Sequence, residues 1–244
     1  TDYIFYPISD CKPMLKLSKW SREHLGAAVG RNANRIGGAA LPLNGKTVQL
    51  GVNNNKNNLH SGPNYFDLRM WQVETFESDR IVLRLDSPDG DQGFPGNAVI
   101  RASYILEGTS LKLCYDAVCD QDTVFNMTNH TYFNLAGAFS GSVEGHELWM
   151  KASHYTPVNP AKGLPTGEIA PVDGTPFDFR VTKTIGRDIR ADFDQVRYGC
   201  GYDHNLVFDK ETEGVEKVAT AYAKETGIQM DMWTDCVGVQ LYTG

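Results

Sequence analysis

The segment Asn126-Met127-Thr128-Asn129-His130-Thr131-Tyr132-Phe133-Asn134-Leu135 sets one histidine among hydroxyl, amide and aromatic side chains. Imidazole, with an ordinary pKa of about 6.5, gives or takes a proton near neutrality. Asn129, Thr131, Tyr132 and Asn134 offer hydrogen bonds to a polyhydroxylated ligand, and Tyr132 and Phe133 add apolar surface. In an extended segment alternate residues share a face. Thr128, His130, Tyr132 and Asn134 would then form a polar row unsuited to an ordinary core. A strand whose histidine is satisfied by a backbone carbonyl accounts for the same residues without chemistry.

Four other polar clusters accompany it. Gly30-Arg31-Asn32-Ala33-Asn34-Arg35-Ile36 puts two arginines and two asparagines in a glycine-flanked turn, which a solvated loop explains equally well. Asn57-Asn58-Leu59-His60-Ser61-Gly62-Pro63, followed by Phe66, Asp67 and Trp71, places His60 at a loop tip, where turn or capping hydrogen bonds also suffice. The stretch from Tyr155-Thr156-Pro157 to Thr175-Pro176-Phe177-Asp178-Phe179 has a structural character: Pro and Gly fix turns, and aromatics pin the loop to a sheet. Gly201-Tyr202-Asp203-His204-Asn205 sets a carboxylate where it either accepts from sugar hydroxyls or caps a turn.

Metal and nucleophilic chemistry find little footing. Seven residues separate His146 from His154, His60 and His130 lie far apart, and no cysteine pair joins them. Asp86, Asp89 and Asp91 are a carboxylate set open to calcium, though a solvated turn is the simpler account. No G-x-S-x-G elbow is present for Ser-His-Asp catalysis.

The elements that must carry these residues read as β nearly throughout. Arg80–Leu85, Ala98–Leu106 and Ser110–Val118 are extended runs, and Leu111, Leu113 and Tyr115 alternate with polar or small residues. Val218–Lys224 and Ile228–Trp233 flank Glu225-Thr226-Gly227 as a hairpin, and Val237–Tyr242 is a further strand. Helical signals are confined to Lys16–Leu25 and one turn over Arg187–Phe193. Tyr155–Arg180 reads as a long irregular connection of the kind that often serves function. With no repeat or linker, residues 1–244 read as a single all-β domain.

At 244 residues, 41% hydrophobic and 22% charged, the chain is ordinary for a globular protein with a large core. A net charge of −7, pI near 5.3 and no basic cluster disfavour nucleic acid; an uncharged ligand suits this balance better. Cys11, Cys114, Cys119, Cys200 and Cys236 are scattered and odd in number, which predicts free thiols in a reducing compartment. No apolar run predicts a membrane span. The first thirty residues lack the order of a secretory signal, so a cytoplasmic location is expected.

Taken in order, the clusters resemble the aldose 1-epimerases, or galactose mutarotases. The matching pieces are G-R-x-A-N-R-I at Gly30–Ile36, N-x-L-H-x-G-P at Asn57–Pro63, F-D…W at Phe66, Asp67 and Trp71, and D-G-D-Q-G-F-P-G-N at Asp89–Asn97. They continue with T-N-H-T-Y-F-N-L at Thr128–Leu135, P-T-G-E-I and G-T-P-F-D-F within Pro165–Phe179, G-Y-D-H-N at Gly201–Asn205 and V-Q-L-Y-T-G at Val239–Gly244. The resemblance implies a β-supersandwich and the interconversion of α and β anomers of aldohexoses such as galactose and glucose, with no metal or organic cofactor. It implies His130 as general acid at the ring oxygen and His60 as a group holding or polarising the same end of the sugar. Asn34, Arg35, Tyr132, Asp203 and Gln240 match sugar contacts. A carboxylate near His130 would help it keep its proton.

The departures shape the alternatives. The family's general base is a glutamate several tens of residues beyond V-Q-L-Y-T-G, and these 244 residues end at Gly244. The family also usually has more β-structure before G-R-x-A-N-R-I, so the chain reads as short at both ends. Ser61 stands where glycine is usual. A sugar-binding or regulatory protein without the base is one alternative. A mutarotase for phosphorylated hexoses, with Arg31 and Arg35 meeting the phosphate, is another, disfavoured by the net acidity.

Overall fold

The computed structural model describes residues 24–160 and 163–244. Cys11 and all but the last two residues of the helix expected over Lys16–Leu25 lie outside the described residues. The chain forms two compact units, one ending at Tyr132 and one beginning at Phe133.

In the first unit the strands are β1 (Ala28–Val29), β2 (Arg35–Ile36), β3 (Ala40–Leu43), β4 (Lys46–Gln49), β5 (Asn58–Leu59), β6 (Gln72–Phe76), β7 (Arg80–Ser87), β8 (Ala98–Glu107), β9 (Ser110–Cys119) and β10 (Thr128–Asn129). The expected runs over 80–85, 98–106 and 110–118 are the three long strands of an antiparallel meander, β6-β7-β8-β9. Glu107 faces Ser110 across a two-residue turn whose first residue, Gly108, has φ 62°, a conformation glycine adopts without strain. One face of the meander packs Leu85, Ala98 and Ile100 with Phe66, while Glu74 on its neighbour strand pairs with Arg84 and Arg101 on the solvent side.

Arg31 is the unexpected core residue of this unit, only 1% exposed. Its Nε donates to Ser87 Oγ at 3.0 Å, Nη1 to the Pro95 carbonyl at 2.7 Å and Thr123 Oγ1 at 3.2 Å, and Nη2 to the carbonyls of Ser87, Pro88 and Gly96 at 2.9, 3.2 and 2.8 Å. The rings of Phe94 and Phe125 flank the guanidinium at 5.9 Å each. A buried charge survives only when its donors are matched, and a planar five-donor fork can match this many carbonyls at once.

The second unit has β11 (Glu147–Met150), β12 (Ala152–Tyr155), β13 (Val158–Asn159), β14 (Leu164–Pro165), β15 (Ala170–Pro171), β16 (Lys183–Thr184), β17 (Asp203–Phe208), β18 (Glu216–Ala223), β19 (Ile228–Thr234) and β20 (Gly238–Tyr242). They make two four-stranded sheets, ordered β16-β11-β18-β19 and β15-β12-β17-β20, and a short β13-β14 pair. Alternate residues of β17, His204, Leu206 and Phe208, are buried. Phe177 stacks on Tyr155 with centroids 4.6 Å apart, so the Pro- and Gly-rich connection is indeed pinned by its aromatics. It is less irregular than expected, since it holds three two-residue strands. The one-turn helix expected over Arg187–Phe193 is displaced. Arg187 ends a 3-10 turn over Ile185–Arg187, turns and bends follow it, and a helix, α1 (Asp194–Gly199), starts after Phe193 with Asp194 in its first turn and Cys200 closing it at φ 54°.

Arg31→Met should lower stability by about 3 kcal/mol or more, because it strips hydrogen-bond donors from buried carbonyls that each cost about 1–3 kcal/mol when unsatisfied. Denaturant titration checks this; a loss under about 1 kcal/mol would show that the loop finds other donors.

Candidate active site

The strand carrying His130 is short, and pairing with a distant segment keeps it extended. β10 pairs with β1 in the register Ala28↔Asn129 and Val29↔Thr128. The pairing runs one residue further, His130 N–H donating to the Ala27 carbonyl at 2.9 Å and Gly26 N–H to the His130 carbonyl at 3.0 Å. Asn129 accepts from the N–H and hydroxyl of Thr131. Beside it Tyr115 donates to the Thr128 carbonyl at 3.3 Å. Of the expected polar row, His130 and Tyr132 stay together, their ring centroids 5.1 Å apart. Asn134, in the second unit, is engaged locally: its side chain accepts from Ala136 N–H and Ser140 Oγ and donates to the Gly141 carbonyl, organising its own turn. Asx side chains readily make such local bonds.

His60 is held by a reciprocal pair of bonds with Asn34. Its N–H donates to the Asn34 carbonyl at 3.0 Å, and its Nδ1 accepts the Asn34 N–H at 2.9 Å. An Nδ1 that accepts carries no proton, so the neutral ring is protonated at Nε2 and presents a donor there. Burial, reinforced by the positive potential of His24, His130 and Arg35 and opposed by Asp67, pushes His60 down to about 3. The loop reaches this pose through left-handed residues, His60 at φ 53° and Ser61 at φ 56°. Ser61 occupies the position where the family usually has glycine, and its buried hydroxyl both accepts Asn32 N–H at 2.8 Å and donates to the Asn32 carbonyl at 3.1 Å. That pair offsets the strain a non-glycine residue carries there.

The rings converge. His60 and His130 stand edge-on with centroids 5.5 Å apart. Arg35, paired with Leu59 across β2 and β5, has its Nε on Asn54 Oδ1 at 3.1 Å, and its N–H on Asn34 Oδ1 at 2.9 Å. His60, His130, Tyr132, Asn34 and Arg35 therefore belong to one unit. The sequence reading did not single out His24, whose ring is 5.1 Å from His60 and 5.9 Å from His130. It sits two residues before Gly26, and the helical reading of Lys16–Leu25 absorbed it. Arg31, by contrast, is sequestered in the core and cannot meet a ligand phosphate, which removes half of the pair behind the phosphorylated-hexose alternative. The carboxylates offered for calcium are engaged by protein groups: Asp86 with Arg84, Asp89 with Gly96 N–H, and Asp91 with Arg69 and Ser87.

In the second unit, Asp203 and Gln240 lie on neighbouring strands β17 and β20, and Gln240 Nε2 donates to Asp203 Oδ1 at 2.8 Å. Asp203 belongs to the less buried face of β17, opposite the core residues, and Gln240 on β20 is exposed. His204, in the same motif, is fully buried, meets Gln195 at 3.0 Å and packs on Phe177, and burial pushes it down to about 4. It is a core histidine. Cys114, Cys119, Cys200 and Cys236 are unpaired, and among the described residues no helix is long and apolar enough to cross a membrane.

A family model described as aldose 1-epimerase matches residues 12–244. An aldose 1-epimerase of Haemophilus influenzae is 39% identical over 226 residues, covering 91% of this chain and 64% of that protein. A galactose mutarotase of Sus scrofa is 37% identical over 231 residues, covering 94% of this chain and 65% of its own length. The crystal structure of a galactose 1-epimerase from Lactobacillus acidophilus superposes with a TM-score of 0.76 at 35% identity, over 87% of this chain and 62% of that one. The fold is thus of the galactose mutarotase type, and the chain spans less than two thirds of the length of these relatives.

The neutrality of His60 has a thermodynamic signature. An unfolded histidine takes up a proton below about 6.5, whereas folded His60 resists until about 3, so its contribution makes stability fall as pH drops across that window. His60→Gln keeps an acceptor for Asn34 N–H and removes the titration. Its denaturation midpoint should lose less than the wild type between about pH 7 and about pH 4. Equal losses would mean that His60 is not held neutral.

Proposed function

Because the chain belongs to the aldose 1-epimerase family, we propose that it catalyses the interconversion of the α and β anomers of aldohexoses such as galactose and glucose. The observation that carries this reading is the edge-on pair of His130 and His60, with His60 committed to the neutral form by the Asn34 N–H. Ring opening needs a proton delivered to the ring oxygen while the anomeric hydroxyl loses one. His130 is the acid. It passes its proton to the ring oxygen as the bond from that oxygen to the anomeric carbon breaks, and the anomeric oxygen becomes the aldehyde. Rotation about the adjacent carbon–carbon bond and reversal of both proton transfers close the other anomer. His60 holds the same end of the sugar by donating from Nε2, a role a neutral ring fills without competing for the proton.

Arg35, held by Asn54, and Asn34 are the polar contacts on this side, with Tyr132 as an apolar wall. Asp203 and Gln240 are contacts for sugar hydroxyls, their mutual bond aligning both before a ligand arrives. Hydrogen-bonding groups of this kind discriminate among sugars because they are left unpaired when a hydroxyl points the wrong way. By the family pattern, the proton acceptor is a glutamate. The unpaired cysteines suit a reducing compartment, and the cytoplasm is the proposed location.

The test is polarimetry on freshly dissolved α-galactose and α-glucose with the complete protein. It should accelerate the approach to equilibrium over buffer, and no acceleration on either sugar overturns the reading. His130→Ala should lower kcat by about 100-fold or more, the usual worth of a positioned acid; an unchanged rate would remove His130 from the role.

A further inference from the structure

The carboxylate expected beside His130 is found one ring away. Asp67 Oδ2 lies 3.1 Å from His24 Nδ1, with the two side chains 14% and 10% exposed. His24 in turn contacts His60 and Tyr65 edge-on, at 5.1 and 4.6 Å between centroids, and His130 at 5.9 Å. The cluster thus holds three imidazoles. An ionised Asp67 accepts a proton-bearing Nδ1, which fixes the His24 tautomer and leaves Nε2 as the place where a second proton is gained or lost.

We propose that His24 and Asp67 are a positioning pair for the reaction, Asp67 supplying the negative charge that favours the His130 cation and His24 setting how much of it His130 feels. This rests on the reading of His130 as the acid. When His24 holds its second proton the pair is neutral, and His130 loses the support of the carboxylate. When His24 is neutral the pair is an anion, and the cation of His130 is favoured. Three other groups among the described residues bear on this arrangement. Tyr65 lies against His24, Tyr132 against His130, and Arg35 acts on His60. Arg69, next to the turn that carries Asp67, is bound to Asp91 at 2.6 Å and leaves Asp67 to His24. The charge of Asp67 does reach the neighbouring ring, since it opposes the depression of His60. A unit charge on His24, whose ring is 5.9 Å from that of His130, moves a titration by roughly half to two pH units, depending on how far water screens it.

Two variants of the complete protein test the pair by the sign of their effects. His24→Asn keeps a donor for Asp67 but takes up no proton; Asp67→Asn removes the anion. Histidine-selective NMR without sugar should show the His130 titration midpoint rising in the first and falling in the second, each by on the order of half a pH unit or more. Because the acid must be protonated, the alkaline loss of mutarotation rate should move to higher pH in His24→Asn and to lower pH in Asp67→Asn. A merely structural role would perturb the site in both variants without opposed shifts. Shifts of one sign, or below about 0.2 units in both, overturn the inference. Opposed NMR shifts in a protein without mutarotase activity would uphold the electrostatic pair while failing the reaction it was meant to serve.

Discussion

Everything placed in residues 24–132 leans on the buried guanidinium of Arg31. It gathers the carbonyls of Ser87, Pro88, Pro95 and Gly96 from the loop joining β7 and β8, and so ties the central meander to the segment that continues into Asn34 and Arg35. Gly30, just before it, leaves room for Met127: a Cβ there would stand 2.1 Å from Met127 Sδ. Arginine does not titrate in the working range of a protein. The scaffold beneath the histidines therefore keeps its charge whatever their protonation.

The same economy of roles recurs in the site. Asn34 uses its N–H to fix the tautomer of His60 and its Oδ1 to receive the N–H of Arg35, so one short side chain and its backbone align two larger neighbours. Ser61 likewise occupies both backbone groups of Asn32. These bonds lie within the chain and fix the side chains by themselves, which is what preorganisation means in energetic terms.

Much of the scaffold was legible because its signals are local. The runs read as extended at 80–85, 98–106, 110–118, 218–224 and 228–233 fall on the strands at 80–87, 98–107, 110–119, 216–223 and 228–234, and the composition that marks them is a property of neighbouring residues. The motif series likewise named His60, His130, Asn34 and Arg35, and these do gather. Illegible were features created by long-range contact. His24 acquires meaning only from Asp67, 43 residues away, and from rings contributed by two other loops. Arg31 reads as a solvated cation until the carbonyls around it are seen. Asn134 fits a polar row by spacing alone, but its own turn competes for its amide more effectively.

The thin pairing that carries His130 bears on the order of assembly. β6 to β9 join neighbours along the chain, whereas β1 and β10 meet from positions about 100 residues apart over a two-residue register. Closing a loop of that length costs roughly 4 kcal/mol of chain entropy, set against the few bonds between residues 26–33 and 126–130. Contacts of low sequence separation form early, and distant ones wait for them. The histidine strand is thus a late, dependent addition to a scaffold that closes by local steps, and partial unfolding will release the chemistry before it dismantles the meander.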